Sequence, residues 1–223
     1  ICYKPQIKCS DCKSRQLLPI TQEVLYSHLT GQKVIGIYPL LATDQCRLLA
    51  VDFDKSDWKN CVTAFSEACL SLNIPFLVER SRSGNGAHVW IFFSEPIAAK
   101  QARLMGAGIL DKAMELYPAL DFESYDRMFP NQDHMPAGGF GNLIALPLQK
   151  HARALGNSTF IDSNFNAFTD PWTVLQQTEL MSSSEVNNIV NELGYNFIEQ
   201  NQTDVDHEAP WVKNIPKKNQ KIA

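Results

Sequence analysis

The chain has 223 residues, of which 44% are hydrophobic and 20% are charged, and its formal net charge is −4. This length and composition suit one large globular domain or two closely joined modules. No segment approaches the ~18 uninterrupted apolar residues of a membrane span, and the polar, cysteine-containing N-terminus is no signal peptide. We therefore expect a cytoplasmic protein with no membrane partner, and we interpret the start at Ile1 as the sign of a piece taken from a longer protein.

The first segment of the chain, residues 1–19, lacks hydrophobic periodicity and contains three cysteines, Cys2, Cys9 and Cys12. Two residues between cysteines form the knuckle that presents two thiolates to one tetrahedral Zn²⁺. We therefore predict a structural zinc-binding element over residues 1–30. His28 is the candidate fourth ligand, and Cys46 or a residue upstream of the chain are alternatives. Reduced thiols in a loop are the interpretation without zinc.

Hydrophobic periodicity and turn residues predict helices and strands along the rest of the chain. In chain order they are a helix over 23–29, strands over 34–38 and 46–53, a helix over 58–72, strands over 74–79 and 87–93, a helix over 98–116, a loop over 126–142, strands over 143–148 and 159–162, and helices over 171–180 and 183–193. This pattern is typical of an α+β fold with a mixed or antiparallel sheet. We predict a core domain over residues 31–198 and a polar tail or linker over residues 199–223.

The strand predicted over 46–53 ends in the sequence Asp52-Phe53-Asp54. Because side chains alternate between the faces of a strand, Asp52 and Asp54 point to the same side. Two such carboxylates repel each other unless a divalent cation lies between them, and hard cations prefer oxygen ligands. The pattern therefore indicates a metal site, or alternatively a strand that simply ends in a polar loop with Asp57 as a helix cap.

Small and cationic residues connect the next two predicted strands. Backbone N–H groups in such a loop can approach a phosphate closely, and hydroxyl, guanidinium and imidazole groups add donors. The candidate phosphate-binding residues are Arg80, Ser81, Arg82, Ser83, Gly84, Asn85, Gly86 and His88. The alternative is a glycine hairpin beside a half-buried histidine.

Asp162 ends the apolar strand Phe160-Ile161-Asp162. Aspartates that start a turn are common, so this residue gains meaning only if the fold brings it to the other two motifs.

The net charge of −4 argues against a nucleic-acid partner, since phosphate contacts need Lys and Arg. Carboxylates of an active site lower the net charge, however, and the local distribution matters more than the sum. Six basic residues lie in or beside the motifs: Arg80, Arg82, Arg127, Lys150, His151 and Arg153. Net charge alone therefore neither supports nor excludes a nucleic-acid partner.

Taken together, the motifs resemble the archaeo-eukaryotic primase superfamily, whose signature is a hydrophobic strand ending in Asp-x-Asp, then a small-x-His motif, then a hydrophobic-Asp strand. Here these are Asp52-Phe53-Asp54, Gly86-Ala87-His88 and Ile161-Asp162. A closer resemblance, to the primase domain of TOTE conflict systems and to CRISPR-associated primase-polymerases, covers residues 1 to about 180. It rests on Lys8-Cys9-Ser10-Asp11-Cys12, Ile35-Gly36-Ile37-Tyr38-Pro39-Leu40, Ser81-Arg82-Ser83-Gly84-Asn85-Gly86-Ala87-His88-Val89-Trp90, Phe129-Pro130-Asn131-Gln132-Asp133 and the run from Gly141-Asn142 to Gln149.

The resemblance implies a primase-polymerase catalytic core, with a sheet like that of RNA-recognition domains joined to an N-terminal αβ module and a small zinc element. It implies template-dependent nucleotidyl transfer from dNTPs or NTPs to the 3′-hydroxyl of a primer on a DNA template, with de novo primer synthesis as a further expectation. CRISPR adaptation or conflict-system proteins are the implied partners.

The resemblance also assigns roles to residues. Asp52, Asp54 and Asp162 would hold two Mg²⁺ or Mn²⁺ ions, and His88, Ser83 and the loop amides would hold the phosphates of the nucleotide. Additional nucleotide contacts are expected from Gln132, Asn142, Lys150 and Arg153.

Two other functions fit parts of the pattern. A metal-dependent nuclease would also use a carboxylate cluster, but it leaves the Ser/Gly/His loop without a purpose. A non-catalytic zinc module that binds nucleic acid would not need paired aspartates. Release of pyrophosphate rather than cut ends distinguishes a polymerase from a nuclease.

Overall fold

The computed structural model describes residue 17 and residues 19–195. Within these residues it contains six helices and seven strands, in the order α1 (Gln22–Leu29), β1 (Gly36–Ile37), β2 (Gln45–Phe53), α2 (Trp58–Ser71), β3 (Leu77–Arg80), β4 (Ala87–Ala98), α3 (Ala99–Leu116), β5 (Tyr125–Phe129), β6 (Ile144–Ala145), α4 (Lys150–Arg153), β7 (Thr159–Ile161), α5 (Pro171–Gln177) and α6 (Ser183–Glu192).

The centre of the fold is a five-stranded sheet in the order β5-β2-β4-β3-β7, and every neighbouring pair is antiparallel. A two-stranded antiparallel sheet of β1 and β6 accompanies it. The predicted mixture of helices with an antiparallel sheet is confirmed. None of the described helices has the length and apolar character that crossing a bilayer requires.

Alternation along the strands gives the large sheet two different faces. Val51, Val89 and Ile161 belong to the larger hydrophobic cluster, in which α2, α3 and α6 pack against the sheet. The opposite face carries a smaller cluster that is covered by side chains of α1, α5 and the two-stranded sheet. Its buried members are Ala50, Leu77, Trp90, Phe129, Ile144, Leu148 and Phe160. Asp52, Glu79 and His88 alternate into this second face, at the end of the sheet where the apolar residues stop.

The structure differs from the predicted elements at β5, which falls partly in the loop expected over 126–142. Tyr125–Phe129 contains two exposed charged residues, Asp126 and Arg127, so apolar alternation is weak. It is an edge strand with an irregularity in its pairing to β2, and edge strands commonly carry charges and bulges. β6 is shorter than predicted, and α4 was missed because it is only one helical turn long.

Candidate active site

Three side chains from three neighbouring strands form a row across the second face of the sheet. Asp52 on β2 is paired with His88 on β4, and His88 is paired with Glu79 on β3. Directly paired residues of antiparallel strands point to the same face. Nε2 of His88 lies 3.4 Å from Oδ1 of Asp52, and Nδ1 lies 2.9 Å from Oε2 of Glu79. Sequence reasoning placed Asp52 and His88 in one site but gave Glu79 no role.

Glu79 is a buried carboxylate, with 2% of its surface exposed. Its Oε2 accepts hydrogen bonds of 2.9 Å from Nδ1 of His88 and 2.9 Å from Nε1 of Trp90, and its Oε1 accepts one of 3.3 Å from the hydroxyl of Ser158. Burial of a carboxylate is tolerated when its oxygens are satisfied in this way. Because an ionised carboxylate only accepts, the proton of Nδ1 points at Glu79 and Nε2 faces Asp52.

The pKa of His88 is raised by this environment. Burial alone lowers it, but the hydrogen bond to Glu79, the charge of Glu79 and the charge of Asp52 together outweigh burial. This environment therefore favours the positively charged form of the imidazole, on the face of the sheet where we expect a phosphate to bind.

Asp52, Asp54 and Asp126 form a group of carboxylates at the end of this row. Burial raises the pKa of Asp52, the charge of His88 lowers it, and the charges of Asp126 and Asp54 raise it further. Oδ1 of Asp54 is buried and has no hydrogen-bond partner within the described residues. Such a group carries more negative charge than its surroundings neutralise, and it is a suitable place for a cation.

Asp126, like Glu79, is a residue that sequence reasoning missed. It lies on β5 at the irregular point between the Asp52↔Arg127 and Phe53↔Tyr125 pairs. Arg127 forms an ion pair with it. The hydrogen bond to Asp126 raises the pKa of Arg127, burial opposes this, and the charges of Asp126, Asp52 and Asp54 raise it further. The signal was present in the sequence as an acidic residue two positions before Met128-Phe129, but it becomes informative only when this segment is recognised as a strand.

Asp162 lies away from the other carboxylates. The register of β3 with β7 carries it past Glu79 in the direction opposite to Asp54, and β7 is three strands from β2, which corresponds to about 14 Å. Its Oδ1 accepts hydrogen bonds from the backbone N–H groups of Asn164 and Asn166, at 2.9 and 2.8 Å. The expectation that Asp162 joins Asp52 is corrected: Asp162 stabilises the turn that follows β7.

The loop between β3 and β4 lies directly against the carboxylate group. A Cβ atom on Gly86 would lie 2.5 Å from the carbonyl oxygen of Phe53 and 3.2 Å from Cα of Asp54. Within the loop, the hydroxyl groups of Ser81 and Ser83 lie 3.0 Å apart, and the hydroxyl of Ser83 accepts a hydrogen bond from the N–H of Asn85. Only glycine at position 86 allows the loop backbone to come this close to the end of β2.

The family model described as the TOTE conflict system, archaeo-eukaryotic primase domain, matches residues 1–189. The chain belongs to this family. None of the curated proteins matches the chain. Membership in this primase family indicates a nucleotidyltransferase-type domain that acts on nucleotides and nucleic acid.

Primase domains of this family generally use divalent metal ions. The carboxylate group of Asp52, Asp54 and Asp126 fits such ions. The unpartnered buried oxygen of Asp54 and the raised pKa of Asp52 indicate a cation-binding position. As the side chains stand, no group of three or more His, Cys, Asp or Glu within the described part of the chain is close enough together to hold a metal ion. Asp52, Asp54 and Asp126 would therefore have to adjust their side chains, and Arg127 would have to move aside, when metal binds.

Arg80, predicted to bind nucleotide, points to the opposite face of the sheet from His88. It neighbours Glu79 on β3 and is paired with Ala87, so alternation turns it away. Its guanidinium donates to the carbonyl oxygen of Phe165, and its Nε is buried without a partner in the described residues. The structure therefore does not bring Arg80 to the face of the sheet that carries Asp52 and His88.

Asn142 and Gln132, two further nucleotide-binding candidates of this primase domain, lie in the segment after β5. The amide of Asn142 donates to the carbonyl of Met128 at 3.0 Å and accepts from the N–H of Asn131 at 3.3 Å, so it stabilises the turn around the cis Phe129–Pro130 peptide bond. Oε1 of Gln132 is buried without a partner in the described residues.

Lys150 and Arg82 remain candidates because both are exposed. Lys150 is the first residue of α4, and Arg82 lines a groove beside that helix. Neither side chain has a carboxylate partner among the described residues.

Of the predicted zinc ligands, Cys2, Cys9 and Cys12 lie outside the described residues, whereas His28 and the alternative Cys46 lie within them. His28 is 1% exposed. Its Nδ1 accepts a 3.0 Å hydrogen bond from the N–H of Ile35, so Nε2 carries the proton and donates to the carbonyl of Pro147 at 3.0 Å. Both nitrogens are occupied, and the assignment of His28 as the fourth zinc ligand is corrected: it joins α1 to the segments that contain β1 and β6. The alternative ligand Cys46 is fully buried in the hydrophobic core.

Proposed function

We propose that the chain is the catalytic core of a template-dependent DNA primase-polymerase, which transfers nucleotides from dNTPs or NTPs to a 3′-hydroxyl. The observation that supports this most is the meeting of Asp52, Asp54 and Asp126 with His88 at one end of the sheet, directly against the Ser/Gly loop. A nuclease needs the carboxylates alone, whereas a polymerase also needs donors for a triphosphate.

In this proposal Asp52, Asp54 and Asp126 hold two Mg²⁺ or Mn²⁺ ions. When bound there, the ions would supply a lower pKa for the attacking 3′-hydroxyl and neutralisation of charge on the triphosphate and the leaving pyrophosphate. The carboxylates orient the reacting groups, and most of the rate comes from positioning and charge neutralisation. Asp162 has no part in this chemistry.

His88 binds a phosphate oxygen of the nucleotide. When the ring is charged, Nδ1–H still donates to Glu79. Nε2–H, which faces Asp52, can then donate to a phosphate oxygen instead. Charge-assisted hydrogen bonds of this kind are about twice as strong as neutral ones. The hydroxyls of Ser81 and Ser83 and the amides of Gly84, Asn85 and Gly86 complete the phosphate site, with Lys150 as a cationic contact and Gln132 as an acceptor.

The remaining parts of the proposal rest on family membership. De novo primer synthesis and partnership with conflict-system or CRISPR adaptation proteins follow from what such domains do. A structural Zn²⁺ held by Cys2, Cys9 and Cys12 also remains a proposal, now with a fourth ligand other than His28. A cytoplasmic location follows, because DNA templates and nucleotide pools are found there.

A primer-extension assay tests the proposal. A labelled primer on a DNA template is incubated with dNTPs or NTPs and with Mn²⁺ or Mg²⁺, beside the variant Asp52→Ala/Asp54→Ala. Template-dependent extension that disappears in the variant supports the polymerase. Shortening of the primer would indicate a nuclease, and an unchanged primer with bound DNA would indicate a binding module.

A further inference from the structure

A groove of about 380 Å³ lies beside the phosphate-binding loop, between the segment that follows α1 and the helix α4. Lys33, Arg82 and His151 contribute its charged and titratable side chains, and none of the described residues that line it is acidic. Within the described part of the chain, no carboxylate forms an ion pair with Lys33 or Arg82. In a chain with a net charge of −4, such a concentration of unpaired positive charge favours a polyanion.

The two sides of the groove are in direct contact with each other. A Cβ atom on Gly31 would lie 2.7 Å from Nε2 of His151, and Gly31 has a φ of +87°. The imidazole of His151 therefore packs on a glycine backbone that no other residue could replace without strain. This contact joins α4 to the segment that follows α1.

An exposed aromatic ring, Trp172 of α5, lies beside the last residue of the short helix α4. The guanidinium of Arg153 lies 5.4 Å from the ring centre of Trp172, and Trp172 is 43% exposed. Leu155, which lines the groove, is 78% exposed. A positively charged groove next to an exposed aromatic ring is the combination with which proteins bind single-stranded nucleic acid, because every base has a face that can stack.

The position of the groove determines which phosphates it can reach. The loop lies between the groove and the carboxylates, since Gly86 lies against Phe53 while a Cβ on Gly84 would be 2.8 Å from Oδ1 of Asn157, after α4. The segment from α4 to β7 is at the edge of the sheet, about 14 Å or three strand spacings from β2. A phosphate in the groove therefore belongs to a different nucleotide from the one that reacts at Asp52 and Asp54.

We propose that Lys33, Arg82 and His151, together with Arg153 and Trp172, form a binding site for the backbone of single-stranded DNA, where the template strand passes the phosphate-binding loop. This site deepens the proposed polymerase function and rests on it. The cations neutralise successive phosphates and Trp172 stacks on a base.

The test is the affinity of the full chain for a 5′-fluorescein-labelled single-stranded DNA, measured by anisotropy at several salt concentrations without divalent metal. Lys33→Ala and Arg153→Ala should each weaken binding by about three- to tenfold and reduce the slope of log K against log salt by about 0.7. Lys112→Ala, which removes the same charge from the distant helix α3 (Lys112 is paired there with Glu115), should change neither quantity.

Trp172 is tested by a conservative pair. Trp172→Phe keeps an aromatic face and should bind within about twofold of the parent chain, whereas Trp172→Ala should bind at least about fivefold more weakly with an unchanged salt slope. Thermal melting identifies any variant that fails to fold, and Trp172→Phe remains informative if Trp172→Ala does so.

Other outcomes separate this site from the polymerase activity. If Lys33→Ala raises the KM for dNTP but leaves DNA affinity intact, the groove binds the triphosphate and the proposal is wrong. If primer extension is normal while neither variant alters DNA affinity, the proposed function stands and the site does not. Groove-dependent DNA binding by a chain that extends no primer would retain the site and reject the polymerase.

Discussion

The carboxylate of Glu79 lies beneath His88 on the neighbouring strand and accepts a 2.9 Å hydrogen bond from Nδ1 of the ring. The same side chain also accepts from Trp90 and Ser158, so one buried residue satisfies three donors. Because the orientation of His88 depends on this acceptor, Glu79 is a positioning residue for the ring although it lies too deep to touch a nucleotide.

Replacing Glu79 by glutamine or by leucine separates the acceptor from the bulk of the side chain. Glu79→Gln keeps an oxygen for His88 and Trp90, and its amide can donate to the hydroxyl of Ser158, so we expect a KM for dNTP within about threefold of the parent. Glu79→Leu leaves buried donors unpaired, at about 1–3 kcal/mol each in unfolding free energy, and should raise KM about tenfold. Steady-state extension kinetics and thermal melting measure both.

Ser158→Ala is the control for stability alone, since it removes one hydrogen bond to Glu79 without touching His88. It should melt earlier than the parent and keep the parent KM. If Glu79→Gln instead raises KM as much as Glu79→Leu, the negative charge of Glu79, and not its acceptor geometry, is what His88 requires.

Asp126 and Asp162 are the two candidates for the third carboxylate of the metal site, and we expect opposite results when each is substituted. Asp126→Asn should reduce extension at least about 100-fold, and Asp52→Asn should do the same, because each removes a group that shares the charge of the site. Asp162→Asn should leave extension within about threefold and cost about 1 kcal/mol of stability, since it only weakens the turn to Asn164 and Asn166. Extension rates at saturating Mn²⁺ compare the two. Full loss in Asp162→Asn with a normal melting temperature would return Asp162 to the metal site.

The aspartates show which parts of the site the sequence alone can predict. Asp52 and Asp54 were predictable because they lie two residues apart on a strongly apolar strand, and period two alone places them on one face. Phe160-Ile161-Asp162 has the same local appearance, but the order of the strands decides what it meets, and β7 is at the far edge of the sheet. Strand order depends on contacts between distant segments, which local patterns do not contain.

The residues that sequence reasoning missed have a common cause. Asp126 lies on an edge strand whose charged residues hide the apolar alternation, and Glu79 looks like an ordinary charged residue before a loop. Conversely, His28 resembled a zinc ligand by its distance from the cysteines, whereas the fold uses both of its nitrogens to join α1 to β1 and β6. Burial of a polar side chain and the identity of its partners follow from tertiary packing, so these assignments required the structure.

Gly86→Ala tests whether the loop must lie against the carboxylates. The added Cβ would be 2.5 Å from the carbonyl oxygen of Phe53, so either the loop or the end of β2 has to shift. A displacement of about 1 Å near reacting groups can cost about 100-fold in rate, and we expect at least a tenfold loss of extension. The matched control is Gly138→Ala, which has open space around it and a φ of +69°.

Both glycine substitutions should lower stability by a similar amount, about 1–2 kcal/mol, from packing conflict in one and from left-handed backbone strain in the other. Only Gly86→Ala should impair extension. Equal activity in the two variants, at equal melting temperatures, would show that the distance between the loop and Asp54 does not matter for catalysis.

Asp52 makes a prediction about stability and pH. Its pKa is raised in the folded chain, chiefly by burial, with the neighbouring carboxylates Asp126 and Asp54 also raising it and His88 opposing them. The folded state therefore binds the proton more tightly than the unfolded state. The stability contribution of Asp52 is fully present below the unfolded pKa, about 4, and is lost as pH rises through the folded pKa.

Asp52→Asn removes this penalty, so without added divalent metal the variant should melt at a higher temperature than the parent at pH 7. The difference should shrink as pH falls through the folded pKa, and it should disappear below the unfolded pKa of about 4, where Asp52 is protonated in both states. Added Mn²⁺ should raise the melting temperature of the parent more than that of the variant, since bound cation offsets the repulsion among Asp52, Asp54 and Asp126. Differential scanning fluorimetry across pH, with and without Mn²⁺, measures both effects. An Asp52→Asn variant that is less stable than the parent at pH 7 without metal would show that Asp52 stabilises the fold, and that the site is not held in a state of unneutralised charge.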